Sequence, residues 1–172
     1  MKKLLLILLV ALVPAFVLAQ NSAVDKLFKK YGGQKGFTTI NINSGLLKFA
    51  AQMTEEEEDL DVLNSINTIK ILAQEDGEAS NFYDEVMGTL KRNDYEELMT
   101  VNSDDGDVIF LVKKNKERIS EFILVAGGDD ENVLIYIGGD MSMKDLTSLS
   151  KSINIDSAGF DKLEHLDELE KK

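Results

Sequence analysis

The run from Asp107 to Gly139, DVIFLVKKNKERISEFILVAGGDDENVLIYIGG, leaves the chain few ways to fold. Three apolar runs, Val108–Val112, Phe122–Ala126 and Val133–Ile137, are separated by short polar segments. Each run has strand length and is rich in Val, Ile, Leu and Phe. Each is too short to compete as a buried helix. The connections Lys113–Arg118 and Gly127–Asn132 have hairpin lengths, and hairpins join antiparallel neighbours; parallel ones need a longer crossover. The spacing predicts an antiparallel meander with strands near 108–113, 119–126 and 133–138. Alternate residues of a strand face opposite ways. Phe122, Leu124 and Ala126 share one face, Ile123 and Val125 the other, and the flanking runs are apolar on both faces too. Such a sheet needs cover on both sides, from its own helices or from a second copy.

The rest of the chain completes an α+β pattern: a mainly antiparallel sheet, an earlier β-α-β unit and helices packed on the sheet. Ser22-Ala23-Val24-Asp25 is a short capping-box pattern, and Val24, Leu27, Phe28 and Tyr31 follow at helical spacing until Gly32-Gly33. Phe37–Asn43 alternates, with Ile40 and Ile42 on one face and Thr39, Asn41 and Asn43 on the other, as a half-buried strand does. Ser44 is the expected cap of a helix carrying Leu46, Leu47, Phe49, Ala50 and Met53. The acidic run Thr54–Asp59 fits a solvated loop or a helix start, where carboxylates meet the positive end of the helix dipole. Ile66–Ala73 is the second strand of the β-α-β unit, with Ile69, Ile71 and Ala73 on one face.

Ser80 opens a helix whose stripe, Phe82, Tyr83, Val86, Met87 and Leu90, is the cleanest amphipathic pattern in the chain. Tyr95–Val101 reads as a strand at a sheet edge, because of Glu96 and Glu97. Ser142-Met143-Lys144-Asp145 is a second capping box, opening a helix with Met143, Leu146, Leu149 and Ile153 inward. Residues 157–172 form a charged helical tail in which Phe160, Leu163, Leu166 and Leu169 recur every third residue and so drift around a helix.

Residues 1–19 have the form of a secretory signal peptide: Lys2 and Lys3, the apolar Leu4–Val13, then Val17-Leu18-Ala19 before Gln20. The apolar run is shorter than the roughly 20 residues of a bilayer span, and Pro14 interrupts it. Residues 20–172 then make a single domain. The chain has 31 acidic and 19 basic residues, a net charge of −12, and cleavage removes two of the lysines. That balance argues against nucleic acid and anionic membrane surfaces as partners. There is no Cys, so neither a disulfide nor a Cys-linked lipid is available. Packing alone must hold the fold in an oxidising compartment, and no stable membrane anchor is expected after cleavage.

The meander also predicts where charge collects. The turn Asn102–Asp107 enters its first strand and Gly127–Asn132 leaves its second, so both lie at one end of the sheet. Asp104, Asp105, Asp107, Asp129, Asp130 and Glu131 then form an acidic cluster, with Lys113, Lys114, Lys116 and Arg118 at the opposite end. Good turn-forming chemistry explains these residues most simply. A weak divalent-cation or cationic-partner site is the sharper alternative, although the spacing does not follow the calcium-loop pattern.

Catalytic signatures are missing. His165, the one His, falls in the tail, so neither a structural zinc site nor a Ser-His-Asp triad has its ligands. The Gly pairs at 32, 127 and 138 do not make a dinucleotide-binding loop. No cofactor is expected. A carboxylate-dependent hydrolase would need two carboxyls converging in a cleft, and no pair stands out.

The leader, a first helix and strand reading VDKLFKKYGGQKGFTTININ, an NFYDEV helix and the late VLIYIGGDMSMKDLTSL together resemble the small exported proteins grouped as domain of unknown function 4252, of Bacteroidota-type bacteria. The resemblance spans nearly all of residues 20–172, and its motifs are structural rather than catalytic. It implies export and no established activity; lipid-anchored members carry a Cys that this chain lacks. The expectation is a non-enzymatic envelope protein, periplasmic or extracellular, that binds another protein or a second copy through a sheet face or edge.

Overall fold

The structure, a computed structural model, describes residues 23–54, 56–74, 82–90, 95–104, 106–128 and 132–152. The expected signal peptide, Ser22, Ser80, Ile153, His165 and the tail at 157–172 lie outside them. The elements run α1 (Ala23–Tyr31), β1 (Phe37–Asn43), α2 (Ser44–Ala51), α3 (Glu57–Ser65), β2 (Ile66–Gln74), α4 (Phe82–Leu90), β3 (Glu96–Ser103), β4 (Gly106–Asn115), β5 (Arg118–Gly127), β6 (Asn132–Met141) and α5 (Met143–Ser152).

All six strands join one antiparallel sheet in the order β1-β2-β6-β5-β4-β3. The meander is present and longer than its apolar runs, because the polar flanks stay in the ladder. Lys113 and Lys114 pair with Glu121 and Ile119, and only Lys116 and Glu117 remain in the turn after Asn115↔Arg118. Lys116 takes a φ of 60°, as a two-residue hairpin demands. β3 is an edge strand, as its two glutamates indicate. The β-α-β unit expected over residues 37–73 is present as a strand–helix–strand order but not as a parallel pair. Its strands β1 and β2 are direct antiparallel neighbours with two helices between them.

Helices cover both faces. On one, α1 and α4 place Val24, Leu27, Tyr31, Phe82, Val86 and Leu90 against Leu72, Ile109, Leu111, Ile123, Val125 and Leu134. Each fully buried side chain of this size contributes about 1.5–3 kcal/mol of transfer free energy. On the other face, Leu47 of α2, Val62 of α3 and Leu146 of α5 pack on Val112, Ile119, Ile137 and Met141. Across that face the register aligns Ile42, Ile69, Ile137, Phe122 and Val112 in one row.

Three expectations for the helices change. Asn43, not Ser44, caps α2: its side-chain oxygen accepts from the N–H groups of Gly45 and Leu46 at 3.0 and 3.2 Å. Both residue types cap well, and the end of β1 leaves Asn43 in the extended conformation that a cap requires. On α2 only Leu47 and Ala51 are buried; Leu46 and Phe49 are 55% and 58% exposed, and Met53, expected on the helix, lies beyond its end and is 72% exposed. Met143 is also exposed, while Leu146 is buried and Leu149 is packed against the core beside it. The helix α5 keeps its capping box: the Ser142 N–H donates to Asp145 at 2.6 Å, and the Asp145 N–H donates to Ser142 Oγ at 3.1 Å.

Candidate functional site

Self-cover of both faces moves attention to the edges of the sheet. β1 pairs with β2 through seven residues, Phe37↔Gln74 to Asn43↔Thr68, with no shift of register. No other strand lies on its outer side among the described residues. It holds no charge, no proline and no bulge. Ile40, in the middle, is 45% exposed. Unprotected edges are templates for strand addition, and proteins usually blunt them with charge, proline or bulges. Beyond Asn43 the chain turns into α2, which packs through Leu47 on the Ile42 side of the sheet. Its exposed Leu46 and Phe49, and the exposed Met53 two residues past its end, recur at i, i+3 and i+7.

A second constellation lies under α1, where the sheet carries polar groups into a half-buried shelf. Lys70 on β2 donates to Asp25 of α1 at 2.5 Å. Its ammonium stands 5.8 Å from the Phe28 ring and 5.9 Å from the Tyr136 ring. Tyr136 crosses Gly138, its same-face neighbour on β6; a Cβ there would stand 2.8 Å from the Tyr136 hydroxyl. On β5, Glu121 accepts from the Tyr95 hydroxyl at 2.5 Å and pairs with Lys113 at 3.5 Å. Burial first, then the hydrogen bond to Glu121, pushes the Tyr95 phenol well above its ordinary range. Burial first, then the charges of Glu121 and Asp25, pushes Tyr136 up to about 12.

Both phenols are therefore neutral at physiological pH, and both carboxylates are engaged by a lysine. The shelf has groups that hydrogen-bond but no carboxylate set apart from a cation to act as an acid. Among the described residues no buried side-chain nitrogen or oxygen lacks a partner, and no three His, Cys, Asp or Glu side chains converge as a metal site would require. The shelf fixes α1 to the middle of the sheet. A neighbouring clamp, in which Lys30 and Tyr31 both donate to Glu85, fixes α1 to α4 and holds the Glu85 carboxyl below its ordinary value, mainly through Lys30.

Of the acidic cluster, Asp105, Asp129, Asp130 and Glu131 lie outside the described residues. The register does bring the two turns to one end of the sheet: Ser103 pairs with Gly106, Asp107 with Gly127, and Gly127 with Asn132. Asp104 and Asp107 sit there. Tyr83 of α4 lies against the same strand ends: a Cβ on Gly127 would stand 2.4 Å from its ring. At the other end the cations do not form an open basic patch. Lys114 pairs with Glu96 at 3.0 Å, and the Arg118 guanidinium pairs with Asp140 at 3.1 Å, both across strands.

Sequence reasoning named neither the β1 edge nor the shelf as a site. The alternation of Phe37–Asn43 was legible, but its place at the edge depends on β6 choosing β2 as its neighbour. Lys70 and Glu121, charged residues inside apolar runs, were the available signal for the shelf.

Comparison with protein-family models matches residues 31–149 to a domain of unknown function, DUF4252. The chain belongs to that family. The matched span holds every strand and all of α2, α3 and α4, so the DUF4252 domain in this chain is the sheet and most of its cover. The family carries no indication of catalytic activity. Comparison with the curated proteins found no match. No helix among the described residues is long and apolar enough to cross a membrane.

Proposed function

We propose that this DUF4252 chain is an exported, non-enzymatic binding module that docks a further polypeptide strand, foreign or from a second copy, at the outer edge of β1. One observation carries the reading: a regular seven-residue edge strand without charge, proline or bulge, in a sheet whose other edge carries Glu96 and Glu97. Main-chain groups supply affinity in such strand addition, and alternate side chains supply specificity. Export rests on the leader pattern of residues 1–19 and predicts a processed chain beginning at Gln20. A non-catalytic role is supported by the shelf, where Asp25, Glu121 and the Tyr95 phenol are held in structural pairs.

The test compares the two edges. Tagged chains are captured from the envelope fraction as wild type, as Ile40→Lys on β1 and as Thr100→Lys on β3. Proteins recovered with wild type should be lost with Ile40→Lys and kept with Thr100→Lys. Equal recovery with all three would remove the β1 edge from the account.

A further inference from the structure

We propose that the occupant of the β1 edge is a second copy of this chain, paired antiparallel about a two-fold axis at Ile40, so that two six-stranded sheets become one. This deepens the binding-module reading and rests on its choice of edge. Three observations select a copy of the chain over a foreign strand.

The first is self-complementarity. A two-fold axis at Ile40 sets Ile40 against its own mate, Thr39 against Asn41, Thr38 against Ile42 and Phe37 against Asn43. All seven residues of the strand are then paired, the longest overlap the segment permits. Opposed residues of an antiparallel pair lie on the same face. Ile40, Thr38 and Ile42 meet on the side where α2 packs, and Thr39 and Asn41 meet on the side of α1. The exposed Ile40 is buried by its mate, while the Thr39–Asn41 pairs are polar on both partners and able to hydrogen-bond.

The second is charge. Two copies of a chain with net charge −12 repel, so self-association is favoured at surface that adds no further like charge to the contact. Phe37–Asn43 is such a segment. A copy-to-copy contact through β3 would instead bring Glu96 and Glu97 of both copies into the seam, beside a register shift between Glu97 and Met99.

The third is continuity. α2 follows β1 directly, so each copy brings the exposed Leu46, Phe49 and Met53 to the same side of the joined sheet as the Ile40 pair. Apolar surface therefore extends beyond the strand itself.

The chain has no Cys, which makes a single introduced thiol a clean reporter. Directly opposed residues of an antiparallel pair have Cα atoms about 4.5–5.5 Å apart, within disulfide reach. The full chain is expressed with its own leader, purified after processing and studied by sedimentation over a range of concentration. The expected result is a dimer for wild type. Ile40→Lys, which sets two ammonium groups face to face, should weaken association by about tenfold or more with an unchanged circular dichroism spectrum. Ile40→Cys should give a covalent dimer under mild oxidation, and Thr100→Cys on β3 should not. A wild-type monomer overturns the proposal, and so does a dimer that survives Ile40→Lys or that Ile40→Cys does not cross-link. A wild-type monomer whose capture of an envelope protein is still lost with Ile40→Lys overturns the second copy alone and leaves the edge as a site for a foreign strand.

Discussion

β1 and β3 both close the same sheet, one at each end of the strand order, and they are built to opposite rules. β3 carries Glu96 and Glu97, shifts register after Glu97, and is tied to its neighbour by the Lys114–Glu96 pair. β1 carries none of these. Every ladder of the sheet except β1–β2 contains an irregularity. Register shifts fall between Lys113 and Lys114, Ile119 and Glu121, and Ile66 and Thr68, and the β1–β2 ladder has none. Bulges raise local twist and disrupt the ladder that a new strand would have to match. β3 is thus finished against further pairing, while β1 keeps the form of an interior strand with one neighbour missing. Two edges of one sheet need not share a fate, and an edge left plain is itself a specification.

The largest effect should come from exchanging the rules. Thr39→Glu with Ile40→Glu gives β1 the carboxylates of β3 and should abolish self-association in sedimentation. Glu96→Thr with Glu97→Thr makes β3 neutral and should add species larger than a dimer. If the β3 variant stays dimeric, the register shift rather than charge is what protects that edge, and the comparison becomes sharper.

Next in size is the support of each half. Leu47→Ala removes the buried anchor that α2 sets on the Ile42 side and should cost about 2–5 kcal/mol in denaturant unfolding. Leu46→Ala, one residue earlier and exposed, should lie within about 0.5 kcal/mol of wild type. Equal losses would mean that Leu46 is buried in solution.

Alkaline pH tests the β3 half. Tyr95 leads into β3 and Tyr136 lies on β6, and both phenols have folded pKa values raised above the ordinary 10.0. A group raised in the folded state contributes stability that is fully present below its unfolded value and lost as pH climbs through the folded one. Melting temperature should therefore be insensitive to these phenols below pH 10 and fall between pH 10 and about 12. Tyr95→Phe should blunt that fall; an unaltered profile would show that the Tyr95–Glu121 bond does not shape it.

The smallest effect concerns the junction of β1 with α2. Asn43→Ala removes the cap and should cost about 1 kcal/mol. Ser44→Ala, one position on, should be nearly silent, since the Ser44 side chain is not the cap.

Much of the fold was legible because binary pattern constrains local structure tightly. Val108–Ile137 read as a meander from run length and turn length, and Glu96 and Glu97 marked β3 as an edge. Ser142 and Asp145 made their capping box as read, since both bonds are local. Local pattern misleads where it has two solutions. Asn43 and Ser44 are both caps, and strand geometry chose between them. Leu46, Leu47 and Phe49 offered two apolar faces on one short helix, and only packing chose Leu47. The site was less legible still, because neither the edge nor the shelf is a contiguous motif. Lys70, Asp25, Tyr136, Glu121 and Tyr95 come from five different parts of the chain.

Sequence by itself settled the strands of the meander, their directions and the family, since hydrophobic period, turn chemistry and length act over a few neighbouring residues. Tertiary structure alone decided which strands were left at the margins. β6 reaches back to pair with β2, and that long-range choice puts β1 outermost, with Ile40 half exposed on a strand that carries no charge to guard it.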